Sequence, residues 1–291
     1  NYRKVRLQSV NLHNSFKKSA TTIQLEVIGY ISALFIGLSL GLIGSGGTIL
    51  ALPIFVYLFQ IKDMQEATHY TMFVVGVTAL IGAFRKYQEK LVDVKTAVYF
   101  LIPSLISLFF TRKVILPVLP QEFLHIGNFI LTKDIFLLLL FAVVMFFASI
   151  SMIKNAQQKD VDCFAKTPNA NANHMKTTLV AFLVGSLTAL VGAGGGFLII
   201  PTLVLLKEHC MKRAIGTSLV IITVNSLIGF TGDLHTEVNW QVVLIFSLIA
   251  VLGMLLGIKL SEKIEGAKLK RLFGVMVLVM GIYIIIKELF L

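Results

Sequence analysis

Long apolar runs separated by short polar segments dominate the chain. Between Glu26 and Lys62 lie 35 residues without an Asp, Glu, Lys or Arg, and between Lys176 and Lys207 lie 30. Further uncharged runs cover 67–84, 96–111, 135–153, 214–232, 238–258 and 272–286. About 20 apolar residues cross a bilayer as a helix, so the pattern predicts an all-α, polytopic membrane protein. A transmembrane β-barrel would alternate apolar and polar positions over segments of about ten, and these runs do not alternate. Ten apolar elements are expected: about 25–43, 48–60, 67–86, 95–113 and 134–154, then 177–191, 196–207, 213–232, 240–260 and 269–288. The stretch 114–133, with Pro117, Pro120 and Glu122, reads as an interfacial loop or a short amphipathic helix.

The elements repeat. GLSLGLIGSGGTILALP at 37–53 aligns without a gap on GSLTALVGAGGGFLIIP at 185–201, with seven of 17 positions identical. Leu and Ile matches are cheap in apolar sequence, but Gly44/Gly192, Gly46/Gly194, Gly47/Gly195 and Pro53/Pro201 in register are not. The match resumes at Thr78/Asn225 and again at Val92-Asp93/Val238-Asn239. The chain therefore divides into a polar basic N-terminal segment 1–24, a transmembrane repeat 25–154, a polar linker 155–175 and a second repeat 176–291. The linker is rich in Asn, Gln, Lys and Ala and reads as flexible.

The first two elements of each repeat form one interrupted run. Thirty-five residues of helix would measure about 52 Å, against a hydrocarbon core of about 30 Å. Clustered glycine is a poor helix former, so the run breaks at Gly-Ser-Gly-Gly, either as a hairpin or as one discontinuous helix. Two hairpins give each half three spans and invert one half relative to the other. The face with both termini then collects 10 Lys and Arg and the opposite face 16. Discontinuous helices give parallel repeats and a split of 14 to 12. The stronger bias favours inverted repeats, the common architecture of secondary transporters. It places both termini outside the cytoplasm, against which the basic N-terminal segment stands.

A break in lipid strands backbone N–H and C=O groups at several kcal/mol each, so it persists only where protein covers it or it lines a wet cavity. The residues after each break begin a helix, and a helix N-terminus suits an anion. Gly44, Ser45, Gly46, Gly47 and Thr48, with Gly192, Ala193, Gly194, Gly195 and Gly196, are thus candidate substrate-binding residues. Small-residue helix packing competes as an explanation for any single glycine; the matched pair of breaks favours a site. A second polar cluster opens the third element of each half: Thr68, His69 and Thr71, then Gly216, Thr217, Ser218 and Asn225. Their hydroxyl and amide groups suit an oxyanion, although Ser and Thr also bond their own helix. His69 is a proton carrier or a surface residue. Arg85 and Lys86 read as snorkelling cations, and Trp240, Asp93 and Asn239 as boundary markers.

Composition narrows the classes. The residues are 56% hydrophobic and 14% charged, where a soluble domain carries about 25% charged. The net charge of +11 comes from Lys and Arg in the loops, as near anionic headgroups, and no nucleic-acid motif accompanies it. Residues 1–24 lack the apolar core of a signal peptide. Cys163 and Cys210 are too few to imply a disulfide or a metal site. No carboxylate lies deep in an uncharged run, which counts against a carboxylate-based proton pump. No nucleophile–base or His-Glu motif points to an enzyme, the dinucleotide spacing fails at Ile49 and Phe197, and no Walker A motif is present. No cofactor and no metal are implied.

Two copies of Gly-x-Gly-Gly followed by Pro, with Gly216-Thr217-Ser218 opening a later helix, resemble the TauE/SafE sulfite exporter family over about 25–291. The first half departs from that pattern, with His69-Tyr70 where the second has Gly216-Thr217. The resemblance implies inverted repeats, a midplane site between them, and sulfite, an organosulfonate or another sulfur-containing anion as substrate. The expectation is an exporter working by alternating access in a bacterial cell membrane. Its partners would be the small anion, the lipid bilayer and a coupling proton or sodium ion, with no nucleic acid. A carboxylate or amino-acid transporter, and an anion channel, are the alternatives.

Overall fold

A computed structural model of the chain describes residues 28–59, 61, 63–120, 122–126, 129–155, 174–191, 196–206, 210–231 and 239–290. The N-terminal segment 1–24, nearly all of the linker 155–175, Cys163 and the second glycine break at Gly192, Ala193, Gly194 and Gly195 lie outside the described residues.

The first apolar run is a hairpin. Helix α1 (Ile28–Ile43) stops at Gly44, whose φ of +80° lies in the left-handed region that costs other residues about 1–2 kcal/mol. Helix α2 (Gly46–Pro53) then returns along α1 and widens into a π turn, Ile54–Leu58. Pro53 has no N–H to donate and its ring crowds the carbonyl one turn back, which accounts for the loosened turn after it. A Cβ on Gly47 would stand 2.6 Å from the carbonyl oxygen of Ile36, and one on Gly29 would stand 2.5 Å from the ring of Phe59. Residue 59 thus comes back to the level of residue 29, which excludes one discontinuous helix for this run.

Helix α3 (Met64–Gln88) starts at Asp63, whose carboxylate accepts from the Gln65 N–H at 2.8 Å. Helix α4 (Val94–Phe110) starts at Asp93, which accepts from the Thr96 N–H at 3.1 Å, and runs on through a π turn, Thr111–Ile115, and Leu116–Val118. Two strands follow, β1 (Glu122–Ile126) and β2 (Phe129–Thr132), paired antiparallel. This ribbon corrects the expectation of a loop or amphipathic helix in 114–133. Pro117 and Pro120 end the helix, and Gly127-Asn128 between two apolar runs is a two-residue hairpin signal.

The remaining helices are α5 (Lys133–Asn155), α6 (His174–Val191), α7 (Gly196–Leu206), α8 (Met211–Thr231), α9 (Trp240–Glu262) and α10 (Gly266–Phe290). Asn239 caps α9 by accepting from the Val242 N–H at 3.4 Å, so the repeat-matched Asp93 and Asn239 do the same work. The fold class is all-α and polytopic, the ribbon aside. Among the described residues six helices, α3, α4, α5, α8, α9 and α10, are long and apolar enough to cross a bilayer.

Packing pairs α3 with α8, α5 with α10 and α4 with α6. Helix α1 locks into α9 backbone to backbone: a Cβ on Gly253 would overlap the carbonyl oxygen of Leu34, and one on Gly257 that of Leu38. Phe55, Phe100, Phe141, Phe246 and Phe273 fill the interior, while Phe35, Phe84, Phe147 and Leu248 lie exposed on the outside. An outer surface of large apolar side chains fits lipid rather than water. At one end of the bundle Tyr57 donates to Glu288 at 2.6 Å and the Asn239 N–H donates to Tyr70 at 3.1 Å. At the other end Lys212 donates to the carbonyl of Glu262 at 3.1 Å and the Asp93 N–H donates to Thr217 at 3.0 Å.

Candidate functional site

Helix α2 begins inside the protein, because the hairpin carries its start away from the end where α1 began. Ser45, at its N-cap, and Thr48 are both 0% exposed. Ser45 makes no capping bond, and its Oγ has no hydrogen-bond partner among the described residues. Thr48 is committed to the turn: its Oγ1 and its N–H both donate to the carbonyl of Ser45, at 2.7 and 3.2 Å. The Gly44 N–H closes α1 by donating to Leu40 at 2.7 Å. The N–H groups of Gly46 and Gly47 belong to the first turn, which has no acceptor within its own helix.

The start of α7 meets the start of α2. A Cβ on Gly196 would stand 3.0 Å from Thr48 Cγ2 and 2.5 Å from Ile222 Cδ1 on α8. Ile215, on the first turn of α8, closes the space beside Gly44, where an added Cβ would come within 2.8 Å of its Cγ2. Met276 of α10 closes the space beside Gly46, and Ser39 donates to its sulfur at 3.1 Å. Sequence reasoning missed Ile215, Ile222, Met276 and Ser39. Three are apolar residues within apolar runs and carry no signal of their own.

The two helix starts bring two positive dipole ends to one buried place. An orphan hydroxyl stands beside them, and no Asp or Glu is buried among the described residues. This arrangement suits a small anion bound by backbone N–H groups and a hydroxyl. It offers nothing to a cation that needs carboxylates. Among the described residues no group of His, Cys, Asp and Glu could hold a metal ion.

The second polar cluster is buried as well, but its hydrogen bonds go to protein. Thr71 donates to the carbonyl of Ala67 at 2.8 Å and Ser218 to that of Ile215 at 2.8 Å. Thr217 accepts from the Asp93 N–H, and Gly216 presses on the carbonyl of Leu91, so both face the α3–α4 turn. Asn225 donates to Ser104 of α4 at 3.3 Å. Thr68 is buried, and the ring of His69, also buried, lies 4.3 Å from that of Phe230. The structure thus brings Gly44–Thr48 together with Gly196 and engages the polar cluster of α3 and α8 in helix contacts instead. Lys86 departs from the expectation of snorkelling. It is buried and paired with Glu89 at 2.7 Å, while Arg85 is exposed.

The sequence profile of the sulfite exporter TauE/SafE family matches residues 30–284. A probable membrane transporter protein of Xylella fastidiosa strain Temecula1 is 28% identical over 273 residues, covering 91% of this chain and 96% of its own. A probable membrane transporter protein of Methanocaldococcus jannaschii is 26% identical, covering 90% and 94%. The probable membrane transporter protein YunE of Bacillus subtilis is also 26% identical, covering 91% and 98%. No solved structure matches the chain.

Proposed function

Because the chain belongs to the sulfite exporter TauE/SafE family of multi-pass membrane transporters, we propose that it is a secondary transporter of a small sulfur-containing anion, sulfite or an organosulfonate. The anion binds where α2 and α7 begin. The backbone N–H groups of Gly46, Gly47 and Gly196 and the hydroxyl of Ser45 are its donors; Gly194 and Gly195, which the sequence match aligns with Gly46 and Gly47, lie outside the described residues. The observation that carries this reading is the meeting of two helix starts beside a buried hydroxyl that has no partner among the described residues. The sulfur chemistry rests on the family alone, since a carboxylate fits the same donors.

The two halves act as inverted repeats that rock about this point in the direction of export, coupled to a proton or a sodium ion. What supports inversion is a set of matched contacts: the hairpin of α1 and α2, the capping of α4 and α9 by Asp93 and Asn239, and an exchange of first helices. Gly37 of α1 packs against Ala250 of α9, and Gly185 of α6 packs against Ser104 of α4. These pairs are related by the repeat. Ser45, Thr48 and Gly196 are all buried, so the site is occluded, which favours a transporter over an open anion channel.

The test is thermal stability of the purified protein against sulfite, sulfate, thiosulfate, taurine, sulfoacetate, acetate and alanine at matched sodium and ionic strength. A ligand at 100 times its dissociation constant stabilises by about 2.7 kcal/mol. Stabilisation by a sulfur oxyanion or sulfonate, followed by flux of that anion in vesicles, supports the reading. Stabilisation by acetate or alanine alone replaces it with a carboxylate or amino-acid transporter. High unitary conductance replaces it with a channel.

A further inference from the structure

The two halves differ along one seam. On α4, Ser104, Ser107, Thr111 and Arg112 recur at the spacing of a single helix face. The repeat pairs them with Ala250, Gly253, Gly257 and Ile258 on α9. The α9 face is apolar at these positions and locked, because α1 presses its backbone onto Gly253 and Gly257; one turn before Ala250, Ser247 is its buried hydroxyl without a partner among the described residues. The α4 face is largely polar, with Leu108 its buried apolar member. Ser107 donates to the carbonyl of Phe182 at 2.6 Å and lies 2.5 Å from the hydroxyl of Ser186 on α6. Ser104 meets Asn225 of α8 at 3.3 Å, and Arg112 donates to the carbonyl of Gly229 at 2.9 Å. Thr111 and, on α8, Ser226 carry fully buried hydroxyls without a hydrogen-bond partner among the described residues.

We propose that this polar seam of α4 against α6 and α8 is where the molecule opens, giving the anion a water-filled route between the α2/α7 site and the end of the bundle that carries Arg112. Three physical points carry it. Buried hydroxyls without partners are costly, and water entering the seam relieves that cost. Hydroxyls that bond one another exchange those bonds for water without loss. The seam of α1 and α9 gains less by opening, because Gly37, Gly253 and Gly257 make it backbone packing and Ser247 is its one such hydroxyl among the described residues, whereas the α4 seam has one glycine approach, Gly185 on Ser104, amid several hydroxyls. Along α8, Gly229 stands seven residues from Ile222, about 10 Å. The guanidinium of Arg112 therefore sits at the mouth of the route and favours negative charge in a poorly screened place. The seam is buried in this conformation, so the route is closed here. The cargo rests on the anion reading above; the route does not.

The experiment is thiol labelling of the full chain in lipid vesicles with membrane-impermeant methanethiosulfonates, one anionic and one cationic. Thr111→Cys and Ser226→Cys are compared with Ala250→Cys on the matched seam and with the lipid-facing Leu248→Cys. The unsubstituted chain, in which no described cysteine is a free thiol, gives the background rate. Expected is labelling of Thr111→Cys and Ser226→Cys at least tenfold faster than of either control. The anionic reagent should be preferred, that preference should fall about tenfold in Arg112→Gln, and Arg112→Lys should keep it. If Arg112→Gln does not fold, loss of the preference at high ionic strength reads the same charge. Labelling no faster than at Ala250→Cys overturns the route. A preference unchanged by Arg112→Gln or by salt overturns the role of Arg112. Failure of the anion reading shows instead as silence in the anion panel with the labelling intact.

Discussion

Thr48 and Gly196, aligned by the glycine and proline sequence match at 148 positions apart, touch: a Cβ on Gly196 would stand 3.0 Å from the Thr48 methyl. The contact brings the starts of α2 and α7 to one place. The glycine is what lets both helix starts reach it. Gly196→Val should therefore leave the protein inserted and monodisperse but abolish stabilisation by the cognate anion. Overpacking against Ile222 and Thr48 is expected to cost about 1–3 kcal/mol. Size-exclusion profiles and melting curves with and without ligand check this. Unaltered ligand stabilisation in Gly196→Val would place the site elsewhere.

Gly44 carries two separate demands. Its φ of +80° penalises any Cβ, and Ile215 fills the space that a Cβ would enter. Gly44→Ala should lower stability by about 2–5 kcal/mol, the sum of a left-handed alanine and an overpacked contact. Ile215→Ala in that background should recover only the packing share. Full recovery on melting would mean that the backbone conformation costs nothing.

The broken run and the interior start of α2 were legible because Gly, Gly-Gly and Pro in register are rare in apolar sequence. The choice between hairpin and discontinuous helix was legible only through the Lys and Arg split, since both leave the same uncharged run; for the first run Gly29 meeting Phe59 decides for the hairpin. Nor was the direction of the hydroxyls on α3 and α8. Thr71, Thr78 and Thr223 each donate to the carbonyl four residues back, a bond that any Ser or Thr makes in a helix and that composition cannot reveal. The walls of the site, Ile215, Ile222 and Met276, look like any other membrane residues until the fold places them.

Asn225 shows the same limit. Its amide donates to Ser104 at 3.3 Å, a long bond between α8 and α4. Removing Ser104 leaves the Asn225 amide buried without this partner, removing Asn225 leaves Ser104 only its bond to the Leu101 carbonyl at 3.0 Å, and removing both leaves nothing unpaired. Asn225→Ala and Ser104→Ala should each destabilise by about 1 kcal/mol, with the double variant well short of the sum. Strict additivity in a thermal double-mutant cycle would show that the bond does not form. A loss of anion affinity in Asn225→Ala alone would give the amide a direct part in binding.

Tyr57 ties the returning arm of the hairpin to the last helix. Its hydroxyl donates to the Glu288 carboxylate at 2.6 Å, and Lys287 stands 3.9 Å above its ring. Tyr57→Phe keeps the ring and the cation above it but removes the hydrogen bond. The expected loss is about 1.5 kcal/mol, the low end for a bond to a charged group because the contact is only partly buried. Glu288→Gln should lose less, since its amide still accepts. Equal losses in the two variants, measured by melting, would show that charge rather than the hydrogen bond secures the hairpin.

Lys86 and Glu89 test a buried cation at the other end of α3. The Lys86 side chain is 3% exposed and the Glu89 side chain 28%, with 2.7 Å between them. Taking a charge out of water is costly, and pairing only offsets that cost. Removing the acid therefore strands an ammonium among the α3–α4 turn and Gly216, while removing the lysine leaves a carboxylate that reaches solvent. Glu89→Gln should be destabilised by about 1–3 kcal/mol, below the 3–5 kcal/mol of a fully buried pair because Glu89 is partly exposed. Lys86→Met, which fills the same volume without charge, should stay within about 1 kcal/mol of the parent. The difference should survive high salt, since a buried pair is weakly screened. If Lys86→Met proves the more damaging of the two, the ammonium has a role beyond pairing with Glu89, and its place beside the first turn of α8 would make that role the next one to pursue.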